Sequence, residues 1–182
     1  NNLLYHGCIP LNEDGSFKSV KIYGRSYKGK ALYEVLESYV RKGFYAIDEK
    51  ERKRGKDMMW YIWLSENSPL FGKDKMATFE RFFLAEKETH KEKKNPYYDF
   101  LENDKVVDRI LKEFGLEHSF SHIINGHMPV KSKNGENPMK CGGKVFVIDG
   151  GFSRAYQKQT GIAGYTLIYN SYGMILSAHE PF

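Results

Sequence analysis

Apolar positions along this chain recur at strand spacing near both ends and at helix spacing in between. A short apolar run, Leu3-Leu4-Tyr5, predicts an opening strand, and Asp14-Gly15 predicts a turn after it. Phe17 to Tyr23 alternates apolar and polar residues, which predicts a second short strand. From Lys30 to Lys42 the period lengthens. Leu32, Val35, Leu36, Tyr39 and Val40 then share one face of a helix, for which Gly43 offers a stop. The charged run from Asp48 leads into Met58-Met59-Trp60-Tyr61-Ile62-Trp63-Leu64, read as the buried second half of another helix.

Asn67 to Gly72 is rich in turn formers, and Thr78 to Ala85 suits helix or strand equally. Asn95-Pro96 pairs a capping residue with a proline able to open a helix. The strongest helical pattern is Asp104 to Phe114. Asn103 can cap it, Val106, Val107, Ile110, Leu111 and Phe114 line one face, and Gly115 ends it. Beyond it, strand-like runs cover 119–124, 144–148, 163–169 and 173–178, the last two joined by a hairpin turn at Asn170-Ser171-Tyr172-Gly173. Helices in the middle with strands toward both ends predict an α/β fold of the mixed α+β kind.

The 182 residues suffice for a single domain with its own core, and a hydrophobic fraction of 41% excludes gross disorder. No apolar run approaches the ~20 residues of a membrane span. The net charge of +5 favours an anionic ligand. The mixed-sign runs 48–54 and 86–94 read as solvated faces, and the aromatic residues are not interleaved with a basic stripe, which argues against nucleic acid. Cys8 and Cys141 form no disulfide framework; they read as reduced thiols of a cytoplasmic protein, with a thiolate ligand as the less favoured use. A chain that begins with Asn and enters an apolar run at Leu3 reads as a piece of a longer protein.

Three of the apolar runs end at a polar residue beside glycine. His6 leaves the first in Tyr5-His6-Gly7, His127 follows Ile123-Ile124-Asn125-Gly126 and precedes Pro129, and Asp149 ends Val145-Phe146-Val147-Ile148 before Gly150-Gly151. Sites in α/β proteins gather where strands end. A neutral imidazole there can bind a metal or hydrogen-bond a phosphate. Asp149 suits a ligand, a carboxylate that orients a histidine, or a turn residue. Lys131 and Lys133, in the basic loop after His127, and Arg154, after the double glycine, suit contact with phosphate oxygens. Lys140 belongs to the same loop. His179 is expected near the site without ligating, while His90, His118 and His122 read as structural. No Walker phosphate loop, dinucleotide fingerprint or nucleophile elbow occurs.

Longer stretches carry a resemblance. Leu3-Leu4-Tyr5-His6-Gly7-Cys8-Ile9-Pro10, the run 67–81 from Asn67-Ser68-Pro69 to Phe79-Glu80-Arg81, Ile124-Asn125-Gly126-His127-Met128-Pro129-Val130, and the run 147–157 around Asp149 resemble the C-terminal part of class III fructose-1,6-bisphosphatases of Firmicutes. The resemblance covers essentially the whole chain. Its His-Gly and Gly-His-x-Pro pieces are shared with the wider calcineurin-like metallophosphoesterases. It implies a partial two-sheet sandwich flanked by helices, one domain over 1–182 belonging to a larger enzyme, and a helical, charged insertion over roughly 30–115. It also implies a dinuclear centre, commonly manganese (Mn2+), with His6 and His127 as ligands of one ion and Asp149 in support. The substrate would be fructose 1,6-bisphosphate, losing its 1-phosphate in gluconeogenesis.

The family's Gly-Asp-x-His, Gly-Asp-x-x-Asp-Arg and Gly-Asn-His motifs, which supply the remaining ligands and the general acid, are absent from this sequence. Two imidazoles cannot hold two hard cations that each want about six donors. The expectation is an incomplete site, inactive in the isolated chain, whose missing partner is the N-terminal part of the same protein. Homo-oligomer formation is left open. Two rival readings are a protein or dinucleotide phosphatase of the same superfamily and a non-catalytic module that binds anions through its basic loop.

Overall fold

A computed structural model describes residues 1–117, 120–149 and 152–181. In chain order the elements are β1 (Asn2–Leu4), β2 (Val20–Ile22), β3 (Arg25–Tyr27), α1 (Gly29–Tyr45), α2 (Glu49–Leu64), α3 (Thr78–Phe83) and α4 (Asp104–Glu113). They continue with β4 (His122–Asn125), β5 (Met139–Lys140), β6 (Val145–Val147), α5 (Arg154–Thr160), β7 (Gly164–Asn170) and β8 (Gly173–His179). The fold is mixed α/β. The chain divides into two compact units, one of residues 1–7 with 101–182 and one of residues 8–100.

The 8–100 unit is built on the α1–α2 helical hairpin and the β2–β3 ribbon. Val20 and Ile22 of the ribbon, Leu32 and Leu36 of α1, and Met58 and Ile62 of α2 form its buried core. Asp48 starts α2 by accepting a hydrogen bond from the Glu51 N–H at 2.8 Å. Two expectations are corrected here. Gly43 does not stop α1, which runs on to Tyr45. Its role is packing: a Cβ on Gly43 would lie 2.9 Å from the Gly55 carbonyl carbon, so the two helices meet where neither has a side chain. The second half of α2 is not buried as a whole either. Met58 and Ile62 are covered, but Trp60 and Trp63 are exposed, because only one face of α2 meets α1 and the ribbon. Of the ambiguous run 78–85, Thr78–Phe83 form α3 and Leu84 turns extended, and Asn95 caps a 3-10 turn over Pro96–Asp99 by accepting from the Tyr97 N–H.

The other unit contains a four-stranded sheet in the order β1-β4-β6-β5. β1 pairs with β4 in parallel, β4 with β6 in parallel, and β5 closes the edge antiparallel to β6. All three residues of β6 are buried, and Ile123 and Ile124 are buried in β4, as expected for parallel strands at the centre of a unit. Asn103 caps α4 through the Val106 N–H and Gly115 follows it at φ 73°, both as the sequence predicts. β7 and β8 form the expected hairpin. Among the described residues no helix is long and apolar enough to cross a membrane.

Candidate metal centre

The parallel pairing of β1, β4 and β6 sets their C-terminal ends side by side, and the hydrogen-bond ladder continues past the strands. The Tyr5 N–H donates to the Ile124 carbonyl at 3.1 Å, the Gly126 N–H to the His6 carbonyl at 2.9 Å and the Ile148 N–H to the Asn125 carbonyl at 2.9 Å. This extension carries His6, His127 and Asp149 to one cavity of about 390 Å³, which Asn125, Gly126, Leu4 and Tyr5 also line. His6 Nε2 and His127 Nδ1 lie 3.0 Å apart in hydrogen-bond contact, one of the two rings supplying the proton. The rings meet edge to face, at 67°.

His127 has a backbone φ of +66°, a region uncommon for residues with a side chain and one in which His is enriched. The Met128 N–H reaches back to the Gly126 carbonyl at 2.8 Å, closing a three-residue turn with His127 at its centre. Such a conformation costs about 1–3 kcal/mol and persists only where neighbours impose it. Here the His6 carbonyl holds Gly126 on one side, and the Val130 N–H donates to the Asp149 carbonyl at 2.9 Å on the other. A Cβ on Gly126 would stand 3.6 Å from Asp149 Cβ, in ordinary contact, so Asp149 packs directly beside the Gly126-His127 turn.

The donor set suits a divalent ion in part. Two nitrogens bound at about 2.1 Å and at right angles to one ion would lie about 3.0 Å apart, which matches the separation of His6 Nε2 and His127 Nδ1. Asn125 adds an unusual feature, a buried side-chain oxygen with no hydrogen-bond partner. Among the described residues, no group of three or more His, Cys, Asp or Glu side chains could by itself hold a metal. The imidazole pair therefore fits, at most, a portion of a coordination sphere, whose other donors would have to come from outside this set.

The basic residues are placed differently. Lys131, Lys133 and Arg154 are outside the lining of this cavity and exposed, apart from Lys131 and Lys133 backbone contacts. The Lys131 N–H is taken by Glu136 at 2.8 Å. Lys133 packs its backbone against Gly161, just past the C-terminal end of α5, whereas Arg154 begins that helix. His179 bonds Thr166 across the hairpin at 2.8 Å, His90 donates to the Leu84 carbonyl at 3.0 Å, and His122 meets Asn2 Oδ1 at 3.0 Å. Burial lowers the His122 imidazole below its ordinary value. His118, Gly150 and Gly151 lie outside the described residues. Neither cysteine suits a metal: both are free and buried. Burial pushes the Cys8 thiol up to about 12. Burial, followed by the hydrogen bond to Asp104, pushes Cys141 up to about 11.

The residue that motif reading passes over is Asn125. Its place before Gly126-His127 at the end of an apolar run was the available signal, but nothing in the pattern marks it as almost wholly buried, at 1% exposed.

Comparison with known proteins agrees with the strand-end motifs. The family model described as Firmicute fructose-1,6-bisphosphatase matches residues 1–182. The chain is 63% identical over 183 aligned positions to the fructose-1,6-bisphosphatase class 3 of Clostridioides difficile (strain 630), covering 100% of this chain and 28% of that protein. It is 60% identical to the class 3 enzymes of Clostridium botulinum (strain 657 / Type Ba4), with 100% of this chain and 27% of that protein covered, and of Clostridium novyi (strain NT), with 100% and 28%. The chain thus spans little more than a quarter of the length of these curated relatives. No solved structure matches it. By the extent of the family match and the identity to its members, the chain belongs to the Firmicute fructose-1,6-bisphosphatase family.

Proposed function

We propose that this chain supplies the histidine portion of the metal centre of a fructose-1,6-bisphosphatase, which removes the 1-phosphate of fructose 1,6-bisphosphate in gluconeogenesis, in the cytoplasm. The observation that carries the reading is the meeting of His6 Nε2 and His127 Nδ1 at 3.0 Å on adjacent parallel strand ends. Each residue would offer that nitrogen as a neutral imidazole to one shared divalent ion, Mn2+ in our reading, within a dinuclear site of the metallophosphoesterase kind. When bound, such an ion supplies Lewis-acid polarisation of a phosphoryl oxygen. Asp149, in the same cavity, would orient the pair. The remaining donors and the general acid would come from the rest of the protein, which the class 3 relatives carry beyond the matched portion. The exposed Lys131, Lys133 and Arg154 are assigned no step.

The test is phosphate release from fructose 1,6-bisphosphate with Mn2+, using the enzyme at the full length of its class 3 relatives. His127→Ala should lower both bound manganese and turnover, and unchanged manganese content would overturn the assignment. The 182-residue chain alone should release no phosphate under the same conditions.

A further inference from the structure

We infer that Asn125 is a positioning residue for the histidine pair; the inference rests on the metal-site reading above. Asn125 is the last residue of β4 and is almost wholly buried. Its side-chain nitrogen Nδ2 donates to the Gly7 carbonyl at 3.3 Å. That carbonyl can only accept, so the amide orientation follows from the partner and places Oδ1 on the other side. The next residue, Gly126, donates its N–H to the His6 carbonyl at 2.9 Å. Both carbonyls of the His6-Gly7 turn are therefore held from Asn125-Gly126, and the same two residues lead directly into His127. One dipeptide fixes the backbone beneath both imidazoles.

The other half of the amide argues that this arrangement is kept for a purpose other than stability. Asn125 Oδ1 is buried with no hydrogen-bond partner. A buried acceptor left unpaired is destabilising, while the amide's other end is committed to the buried Gly7 carbonyl, so the stability gained through one end is offset at the other. The position follows the buried pair Ile123-Ile124 in β4 and lines the cavity beside both histidines. An asparagine that leaves a buried acceptor unpaired while its other end ties down the backbone after His6 is the pattern of a residue retained for geometry at a site. Small displacements of a ligating turn are enough to weaken coordination, since outer partners of metal ligands typically affect affinity 10- to 100-fold.

The experiment uses the full-length enzyme and measures two quantities for each variant: thermal midpoint without metal, and Mn2+ affinity by calorimetry. Asn125→Leu removes one unpaired acceptor but unpairs the buried Gly7 carbonyl, so it should melt near the parent temperature while binding Mn2+ about tenfold or more weakly. Asn125→Thr, whose shorter side chain cannot span to the Gly7 carbonyl, should likewise lose affinity and serves if the leucine variant fails to fold. A folded variant at Asn125 with parental Mn2+ affinity overturns the inference. His6→Ala and His127→Ala serve as controls. If they lower affinity and the Asn125 variants do not, the positioning role alone falls; if they too leave affinity unchanged, the metal-site reading falls with it.

Discussion

A methyl group placed on Gly55 would overlap the backbone nitrogen of Gly43. The obstacle is backbone, not the end of a flexible side chain, so α1 and α2 would have to move apart. Gly55→Ala should therefore destabilise the 8–100 unit by about 2–3 kcal/mol or more, despite alanine's better helix propensity. Chemical denaturation followed by circular dichroism checks this. A variant as stable as the parent would mean that the hairpin accommodates wider spacing.

If His6 and His127 serve one ion, their losses should not add. His6→Ala and His127→Ala should each weaken Mn2+ binding, and the double variant should be little weaker than either single one, because one missing imidazole already breaks the shared site. Calorimetry on the full-length enzyme gives the coupling. Additive losses would indicate that the two rings serve separate ions.

Acid should erode the 8–100 unit through Glu92. Burial tends to raise this carboxyl, but hydrogen bonds from Lys73 and the Ala77 N–H, with the charges of Lys73 and Arg81, outweigh burial and hold it below its ordinary value. A carboxyl depressed in the folded state contributes stability that is present above its unfolded value of about 4.3 and is lost as pH falls through the folded one. The stability gap between the parent and Glu92→Gln should thus be constant near neutral pH and close below about pH 4. Urea midpoints across that range measure it, and a gap that stays constant down to pH 3 would exclude the mechanism.

The two thiols should resist alkylation while the protein is folded. With Cys8 pushed up to about 12 and Cys141 to about 11, the reactive thiolate is scarce at pH 8, and both sulfurs are buried as well. Iodoacetamide should label both quickly only after unfolding. Fast labelling of native Cys141 would show that the Glu102 and Asp104 contacts around it open readily.

Local signals were the readable ones. Asn103 and Gly115 delimit α4 because caps depend on side chains next to the helix, and the β7–β8 turn is likewise set by its own four residues. The three strand ends bearing His6, His127 and Asp149 were legible for the same reason. Gly43 was misread because glycine marks both a helix end and a close crossing, and only the partner Gly55, on another helix, distinguishes them. Trp60 and Trp63 were misread because α2 is apolar on more than one face, and periodicity does not say which face is covered. The 3.0 Å meeting of His6 and His127 depends on strand register between distant segments, and no local pattern encodes that. The burial of Asn125 is hidden for a related reason: alternation along β4 gives out in the parallel sheet, where both faces are covered.

β1 is three residues long and its partner β4 begins 120 positions later, at His122 facing Asn2. Closing so long a loop costs about 4 kcal/mol of chain entropy before any pairing energy returns. The helical hairpin of the 8–100 unit, in contrast, joins neighbours in sequence and can form early. During synthesis, at about 5–20 residues per second, β1 must wait several seconds or more for its neighbour to be made. This topology predicts that the candidate metal centre is assembled late, after the helical hairpin. Pulse-labelled hydrogen exchange should record amide protection in α1 and α2 before it appears at Tyr5 and Gly126.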